Sequence, residues 1–389
     1  MFSRRVPDDR APNRLSRAIA DARAHGQPLL DLTCSNPTAV GIAYPGGLLE
    51  VLADPRGLAY RPEPFGLLEA RVAVARELGR RGLDISPGRI ILTASTSEAY
   101  SLLFKLLCDA GESAILTPAP SYPLFDHLAR LDAVRQAVYR LEYQGRWGVD
   151  PSALDEAWTP DVRGVLAVSP NNPTGSVLND EDAHALVSRC QDRDAALIVD
   201  EVFCDYLFEP VSTEPASLRR RECLLFRLGG LSKTVGLPQL KLGWIAVDGP
   251  DELVREALDR LELICDTYLS VSTPVQIAAP ALLSTAADVR SRILDRVRGN
   301  RATLAHLAAG VESVALLPSD GGWSAVLRVP ATRGEEQLAL ALLAEDGVIV
   351  HPGFFFDFPH EAFVVVSLLP EPEAFACGIG RVLERARAA

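Results

Sequence analysis

Lysine is nearly absent from this sequence. Only three of its 39 basic residues, Lys105, Lys233 and Lys241, are lysine, and the other 36 are arginine. Two of the three fall within the stretch 229–244. Arginine keeps its proton near neutral pH, whereas a desolvated lysine ammonium can lose it. A side-chain amine that must become a neutral nucleophile therefore has to be lysine, which makes Lys233 the first candidate for chemistry. The alternative is a loop lysine on the surface with no role.

Long apolar runs and excess positive charge are also missing. No apolar stretch approaches the ~20 residues that a membrane-spanning helix needs. The N-terminus, MFSRRVPDDRAPNRL, is charged rather than apolar, unlike a secretory signal. The formal net charge of −12 argues against nucleic acid as a partner. The seven cysteines are odd in number and none lie at metal-ligand spacing, so we expect buried thiols, no metal and a cytoplasmic location.

The order of apolar and helical segments predicts an α/β fold. The 389 residues suffice for one large domain and a smaller one. Strand-like runs such as RIILT (89–93), RGVLAVS (163–169) and AALIVD (195–200) alternate with helical segments. Because these runs are continuously apolar, we expect a mostly parallel sheet sandwiched by helices.

The pattern changes after about residue 250. Three helical segments follow one another, and then strands alternate with helices to the end of the chain. This predicts a smaller α+β C-terminal domain, joined by the N-terminal arm. We expect the arm at 1–45 as part of the small domain, the large domain at 46–285 and the C-terminal small domain at 286–389.

Four polar groupings follow predicted strands, and ligands collect at the carboxyl ends of parallel strands. Thr-Ala-Ser-Thr-Ser-Glu (93–98) begins a helix, where free N–H groups suit a phosphate, although Ser97 as a simple N-cap is the alternative. Asn-Asn-Pro-Thr-Gly (171–175) is either a site or an ordinary turn.

The other two groupings carry charge. Asp200 follows an apolar run directly, so its carboxylate needs a partner unless the Asp-Glu pair turns outward into solvent. Ser232 and Lys233 follow the next predicted strand. None of the four groupings identifies a function by itself.

Together and in this order, the groupings resemble the fold-type-I pyridoxal-phosphate enzymes, specifically the aspartate-aminotransferase-like class I/II aminotransferases. The resemblance extends from the N-terminal arm to the last helix. It implies transfer of an amino group from an amino acid or amine to a 2-oxo acid. It also implies pyridoxal 5′-phosphate as cofactor and a homodimer without nucleic-acid or membrane partners.

The resemblance also implies roles for individual residues. Lys233 would form the internal aldimine and move the proton between Cα and C4′. Asp200 would pair with the pyridinium nitrogen, and Asn172 would hydrogen-bond the phenolic oxygen of the ring. Tyr122 would stack on the cofactor.

The remaining implied contacts are with the phosphate. The set comprises Thr96, Ser97, Ser232, Lys241 and, from the neighbouring subunit, Tyr60. If Tyr60 has this role, the active unit is a homodimer.

Four positions depart from the family's pattern. Phe203 stands in place of a tyrosine, Gly230 in place of a serine, and Lys241 in place of a phosphate-binding arginine. Val365 stands where the family has the arginine that clamps the substrate carboxylate. This predicts that the carboxylate is held differently or that the substrate has none there.

Two arginines and one aromatic run are candidates for the rest of the substrate site. Arg61 and Arg328 are candidates for holding a carboxylate, with solvated surface positions as the alternative. The run Phe-Phe-Phe-Asp-Phe (354–358), near His351, is a candidate for an apolar substrate pocket, with core packing as the alternative.

Two other functions compete with transamination. A pyridoxal-phosphate-dependent lyase, cyclase or hydroxylase of specialised metabolism would use the same fold and cofactor. A non-catalytic regulator or scaffold that binds the cofactor is the alternative from another class, and the intact Lys233 and Asp200 count against it.

Overall fold

The computed structural model describes residues 2–8, 10–209, 214–269 and 271–387 of the chain. In these ranges the helices α1 to α13 are, in chain order, Arg14–Ala24, Leu68–Arg80, Thr96–Leu107, Phe125–Leu131, Pro151–Ala157, Asp180–Asp192, Ala216–Arg219, Leu231–Thr234, Asp251–Tyr268, Thr273–Ser284, Ala286–Ala308, Glu335–Asp346 and Pro372–Arg387. The strands β1 to β14 are Leu30–Asp31, Ile90–Thr93, Ala114–Ala119, Arg135–Tyr143, Trp147–Val149, Val162–Val168, Ala196–Asp200, Leu225–Gly230, Gly243–Asp248, Ala315–Leu316, Ser324–Arg328, Val348–Ile349, His351–Pro352 and Phe363–Ser367. Within the described ranges, none of these helices combines the length and the apolar character needed to cross a bilayer.

The central sheet has eight strands in the order β2-β9-β8-β7-β6-β3-β4-β5. Strands β8, β7, β6, β3 and β4 run parallel to one another, while β9 and the edge strand β5 are antiparallel to their neighbours. The prediction of a mostly parallel sheet is confirmed.

Helices cover both faces of this sheet, which explains why its central strands are mostly apolar. In β7, Leu197 and Val199 pack into a core that includes Leu186 of α6. Ile198 points to the other face and packs with Phe104 of α3. Because successive side chains alternate between faces, a strand buried on both sides is apolar at most positions.

The smaller C-terminal sheet is antiparallel, in the order β10-β11-β14-β13. Its core also includes Leu15, Leu32 and Val40 from the N-terminal segment, together with Val289 and Phe375. Strand β1 pairs in parallel with β12. The N-terminal segment therefore packs on the C-terminal part, and the domain limits after residues 45 and 285 stay a prediction.

Two segments differ from what their sequences indicate. The apolar run 348–351 indicates one strand, but it forms β12 and β13, because its two halves pair with different strands, β1 and β14. The segment 44–64 is rich in proline, glycine and tyrosine and indicates a loop without periodic structure, but it contains the short 3₁₀ turns Glu50–Ala53 and Pro55–Leu58.

The topology brings four strand ends to one edge of the large sheet. Strands β6, β7 and β8 are parallel neighbours, and β2 points the same way as β8 because both are antiparallel to β9. Gly243 of β9 permits a close approach here, since a Cβ at this position would lie 3.0 Å from the Thr93 hydroxyl. The four polar groupings thus meet at this edge.

One buried amide fastens helix α11 to the chain that follows β14. The Asn300 side-chain NH₂ donates to the carbonyls of Leu368 and Pro370, both at 2.8 Å. Replacing Asn300 by Ala leaves both acceptors buried and unpaired, so we expect a loss of about 2 to 3 kcal/mol in the free energy of unfolding. Urea denaturation measures this loss. Asp295→Ala, at an exposed position of α11, is the control, and we expect its free energy of unfolding to stay within about 0.5 kcal/mol of the native value. Equal losses in both variants would contradict the prediction.

Candidate active site

A cavity of about 460 Å³ lies where the carboxyl edge of the large sheet faces the smaller sheet. It brings together eight of the nine residues predicted from the sequence: Thr96, Ser97, Tyr122, Asn172, Asp200, Ser232, Lys233 and Lys241. The ninth, Tyr60, is 73% exposed and does not line this cavity.

Lys233 lies in the short helix α8, directly after β8. The Tyr206 hydroxyl donates to its backbone carbonyl at 2.5 Å and holds the turn. The ammonium nitrogen, Nζ, lies 4.4 Å from the Trp323 ring centroid and 5.2 Å from that of Phe203. Burial lowers the pKa of Lys233 to about 8, although the nearby Asp200 charge opposes the shift. Both protonation states are therefore accessible near neutral pH.

Asp200 ends β7 and is buried. One carboxylate oxygen accepts from the Tyr100 hydroxyl, and the other accepts from the Val202 N–H at 3.0 Å. Burial raises the pKa of Asp200 to about 6 in spite of these two donors. Among the described residues it forms no ion pair, so a cationic ligand group placed beside it would favour its charged form.

The turn between β2 and α3 is built to accept an anion. Ser95, and not Ser97, caps the helix, because its hydroxyl accepts from the Glu98 N–H at 3.2 Å. The interpretation of Ser97 as a simple cap is therefore wrong. The N–H groups of Thr96 and Ser97 have no hydrogen-bond partner within the described ranges. Free N–H groups at the start of a twelve-residue helix attract negative charge.

Ser232 and Lys241 also line the cavity, and Gly243, two residues after Lys241, pairs with Thr93 before the same turn. Lys241 is exposed, and its backbone is left-handed, with φ of 54°. Its ammonium makes no ion pair in the part of the chain that the structure describes. This end of the cavity thus combines two hydroxyl-bearing helix residues, a serine and a free cation.

Of the two adjacent asparagines, Asn172 lines the cavity and Asn171 does not. The Asn171 amide donates to the Pro120 carbonyl and to the Thr174 hydroxyl, both at 2.9 Å, so it stabilises the turn. The Asn172 side-chain oxygen accepts from the Ser324 hydroxyl at 3.3 Å, which leaves its NH₂ for a ligand.

Tyr122 lies beyond the end of β3 and lines the cavity. Its ring packs edge-on against Phe125 with 5.7 Å between centroids. The ring is 37% exposed, so a flat ligand can reach it.

The positions that depart from the family's pattern also surround the cavity. Phe203, Gly230, Lys241 and Val365 line it, and Val365 is almost fully buried. Arg61 and Arg328 are exposed and do not line it. The two aromatics that line it from the run 354–358 are Phe355 and Phe356, and both pack against His351.

Several lining residues were missed in the sequence. Tyr100 could have been found, since it follows Thr96 by four positions and α3 places both on one side. Trp323 could not, because it reaches Lys233 only through the packing of the smaller sheet. Ser324 and Ser367 of the smaller sheet were missed for the same reason, and Thr33 and Ser35 reach the cavity from the segment after β1.

The chain matches the family model Aminotransferase class I and II over residues 29–372. A glutamate-pyruvate aminotransferase from Escherichia coli is 24% identical over 353 residues, which cover 88% of this chain and 87% of the relative. A valine–pyruvate aminotransferase from Mycobacterium tuberculosis is 28% identical over 349 residues, which cover 86% of this chain and 84% of the relative.

Solved structures share the fold. An alanine aminotransferase from Pyrococcus furiosus superposes with a TM-score of 0.90 at 21% identity, covering 100% of both chains. An aspartate aminotransferase single mutant from Thermus thermophilus superposes with a TM-score of 0.85 at 23% identity, covering 99% of both chains.

The buried Asp200 predicts a pH dependence of stability in the unliganded protein. Its pKa rises from 3.8 to about 6 on folding, so the folded state binds a proton more tightly than the unfolded state. Its contribution to stability is complete below pH 4 and is lost as the pH rises through 6. By pH 7 the loss amounts to about 3 kcal/mol. Asp200→Asn removes this dependence and is more stable than the native protein at pH 7, as urea denaturation from pH 4 to 8 will measure. If the free energy of unfolding changes with pH in the same way in both proteins, burial does not raise the pKa of Asp200.

The Tyr100 hydroxyl stabilises the charged form of Asp200, so Tyr100→Phe should raise the pKa of Asp200 further. We expect the pH at which stability is lost to move upward from that of the native protein. Tyr206→Phe is the matched control, because it removes a buried tyrosine hydroxyl that contacts Lys233 and not Asp200. If both variants move the midpoint equally, Tyr100 does not act through Asp200.

Proposed function

The chain belongs to the class I and II aminotransferases, and on this basis we propose that it binds pyridoxal phosphate through Lys233 and transfers an amino group from an amino acid or amine to a 2-oxo acid. The observation that carries the proposal is one cavity that holds a buried lysine amine and a buried carboxylate without an ion-pair partner. The alanine, valine and glutamate aminotransferases among the relatives make the lyase, cyclase and hydroxylase alternatives less well supported.

The chemistry of these side chains fits the cofactor. Asp200, whose pKa burial raises, would gain a cationic partner from a protonated ring nitrogen. The Asn172 NH₂, left free by Ser324, would donate to the oxygen on the ring. The Tyr122 ring would stack on the flat heterocycle.

The phosphate would lie at the anion-accepting end of the cavity. The free N–H groups and hydroxyls of Thr96 and Ser97, with Ser232, would donate to its oxygens. Lys241 would neutralise it as a point charge, without the two-pronged contact that arginine makes.

Pyridoxal phosphate, when bound, supplies an electrophilic carbon for the amine and a ring that takes up electrons when the substrate Cα loses a proton. Lys233 is the group placed to move that proton. Its neutral amine accepts the proton, and its ammonium form returns it, because a pKa of about 8 keeps both forms available. Asp200 would favour the protonated form of the ring nitrogen, and the rings of Phe203 and Trp323 beside the Lys233 amine would exclude water from it.

Phe203 changes one detail of this arrangement. It brings an apolar ring where a hydroxyl would donate to the ring oxygen of the cofactor. Asn172, whose NH₂ is free, would then be the main donor to that oxygen.

The active unit in this proposal is a homodimer in the cytoplasm. Tyr60 and its neighbour Leu58 are 73% and 91% exposed. An exposed aromatic and an exposed aliphatic side chain on one loop suit contact with a second copy. Tyr60 would then reach the phosphate held by the other subunit. The free cysteines of the chain agree with a reducing compartment.

Borohydride treatment of the purified protein tests the role of Lys233. We expect a visible absorption that borohydride abolishes, with the cofactor then fixed to Lys233 in the peptide map. Lys233→Ala should lose the absorption, whereas Lys105→Ala should keep it, since Lys105 lies outside the cavity.

Two outcomes would overturn the proposal. If the native protein binds no cofactor, the whole proposed function is wrong. If amino donors lose another group while the cofactor returns as the aldehyde, amino transfer is wrong.

A further inference from the structure

The smaller sheet presents an uncharged wall to the cavity. Ser324 lies opposite Ser367 across β11 and β14, and His351 lies opposite Val365 across β13 and β14. Directly paired residues place their side chains on the same face. All four line the cavity, so this face is made of two serines, a valine and an imidazole.

This wall lies beside the predicted reacting centre. The ring centroid of Trp323, the residue directly before Ser324, lies 4.4 Å from the Lys233 Nζ. Phe203 packs on Trp323 with 5.5 Å between centroids. Phe355 and Phe356 flank His351 at 5.8 and 5.7 Å. A substrate whose amino group meets Lys233 must place its other substituents against these rings and the uncharged face.

Positive charge is absent from this side of the cavity. Its lining residues in the described ranges include no arginine, and its two lysines are Lys233 and the phosphate-side Lys241. Burial lowers the pKa of His351 from its usual value, and the Asp31 carboxylate opposes the shift. The imidazole is therefore neutral at pH 7, and a carboxylate placed here would be buried without a counter-ion.

We propose, building on the amino transfer proposed above, that the preferred donor is a primary amine with no carboxylate on its reacting carbon and with an apolar remainder. Val365 is the specificity-determining residue, because on the uncharged face it lies opposite His351 and two residues before Ser367. The hydroxyls of Ser324 and Ser367 suit a neutral polar group such as a hydroxyl or an amide on that carbon. A 2-oxo acid acceptor meets the same wall, so it saturates the site only at higher concentrations than the donor.

A matched donor series tests the substrate class in the holoenzyme. Phenylalaninol, phenylalaninamide and 2-phenylethylamine differ from phenylalanine only at the group that replaces the carboxylate. We expect the second-order rate constant for conversion of the bound cofactor to be about 100-fold or more larger for phenylalaninol and phenylalaninamide than for phenylalanine. The change in visible absorption in a single turnover measures it.

Binding without reaction gives a second readout. 3-Phenylpropanol should compete with the donor at concentrations about 100-fold below those needed for 3-phenylpropionate. Val365→Arg should reverse both preferences, and Val365→Ala, which adds space and no charge, should keep them. If Val365→Arg fails to fold, the series with the native protein decides.

The outcomes separate this inference from the proposed function. Conversion by phenylalanine at least as fast as by phenylalaninol leaves amino transfer standing and overturns the substrate class. If Arg61→Ala then removes that conversion, an arginine outside this cavity holds the carboxylate. If no amine or amino acid converts the cofactor, amino transfer fails and the inference fails with it.

Discussion

Desolvation of two side chains dominates this site. Lys233 and Asp200 are both enclosed by the fold, and burial moves the pKa of each toward its neutral form. Neither has an ion-pair partner among the described residues, so the fold bears the unfavourable free energy of keeping them there. A ligand that presents a cation to Asp200 and a carbonyl to Lys233 would relieve both. The same burial therefore lowers the stability of the unliganded protein and would contribute to the binding of such a ligand.

The sheet explains why these groups can be buried at all. Strands β6, β7 and β8 are mostly apolar on both faces, so helices cover them and leave their carboxyl ends open. Polar side chains that follow such strands are forced to one edge, between the two sheets. Short connections to helices then supply free backbone N–H groups at the same place, as at α3. The apolar strands and the polar site are thus two results of one architecture.

Much of this could be predicted from local sequence. The alternation of apolar runs and helices indicated the fold class. The polar groupings after strands contain six of the eight predicted residues that line the cavity, and the family resemblance added Tyr122 and Lys241. The opposite wall could not be predicted, because it depends on how β11, β13 and β14 pair. The segment 348–351 is an example, since nothing in its four residues shows that it serves two sheets. The cap of α3 also escaped prediction, because three neighbouring hydroxyl residues offer equally good caps and only the backbone chooses Ser95.

Asp200 and its neighbour Glu201 show how the fold distributes charge. Burial would raise the pKa of Glu201 too, but Arg81 and Arg227 lower it overall, through contacts of 2.8 and 2.6 Å. The two carboxylates are adjacent in sequence, and only one of them lines the cavity. Although the basic residues of this chain are almost all arginine, Asp200 contacts no guanidinium group in the described ranges, whereas Glu201 contacts two. An arginine beside Asp200 would form a permanent ion pair with the carboxylate, which would then be unavailable to a protonated ring nitrogen. The missing arginine is therefore a requirement of the site, and the uncharged wall around Val365 extends the same exclusion to the substrate.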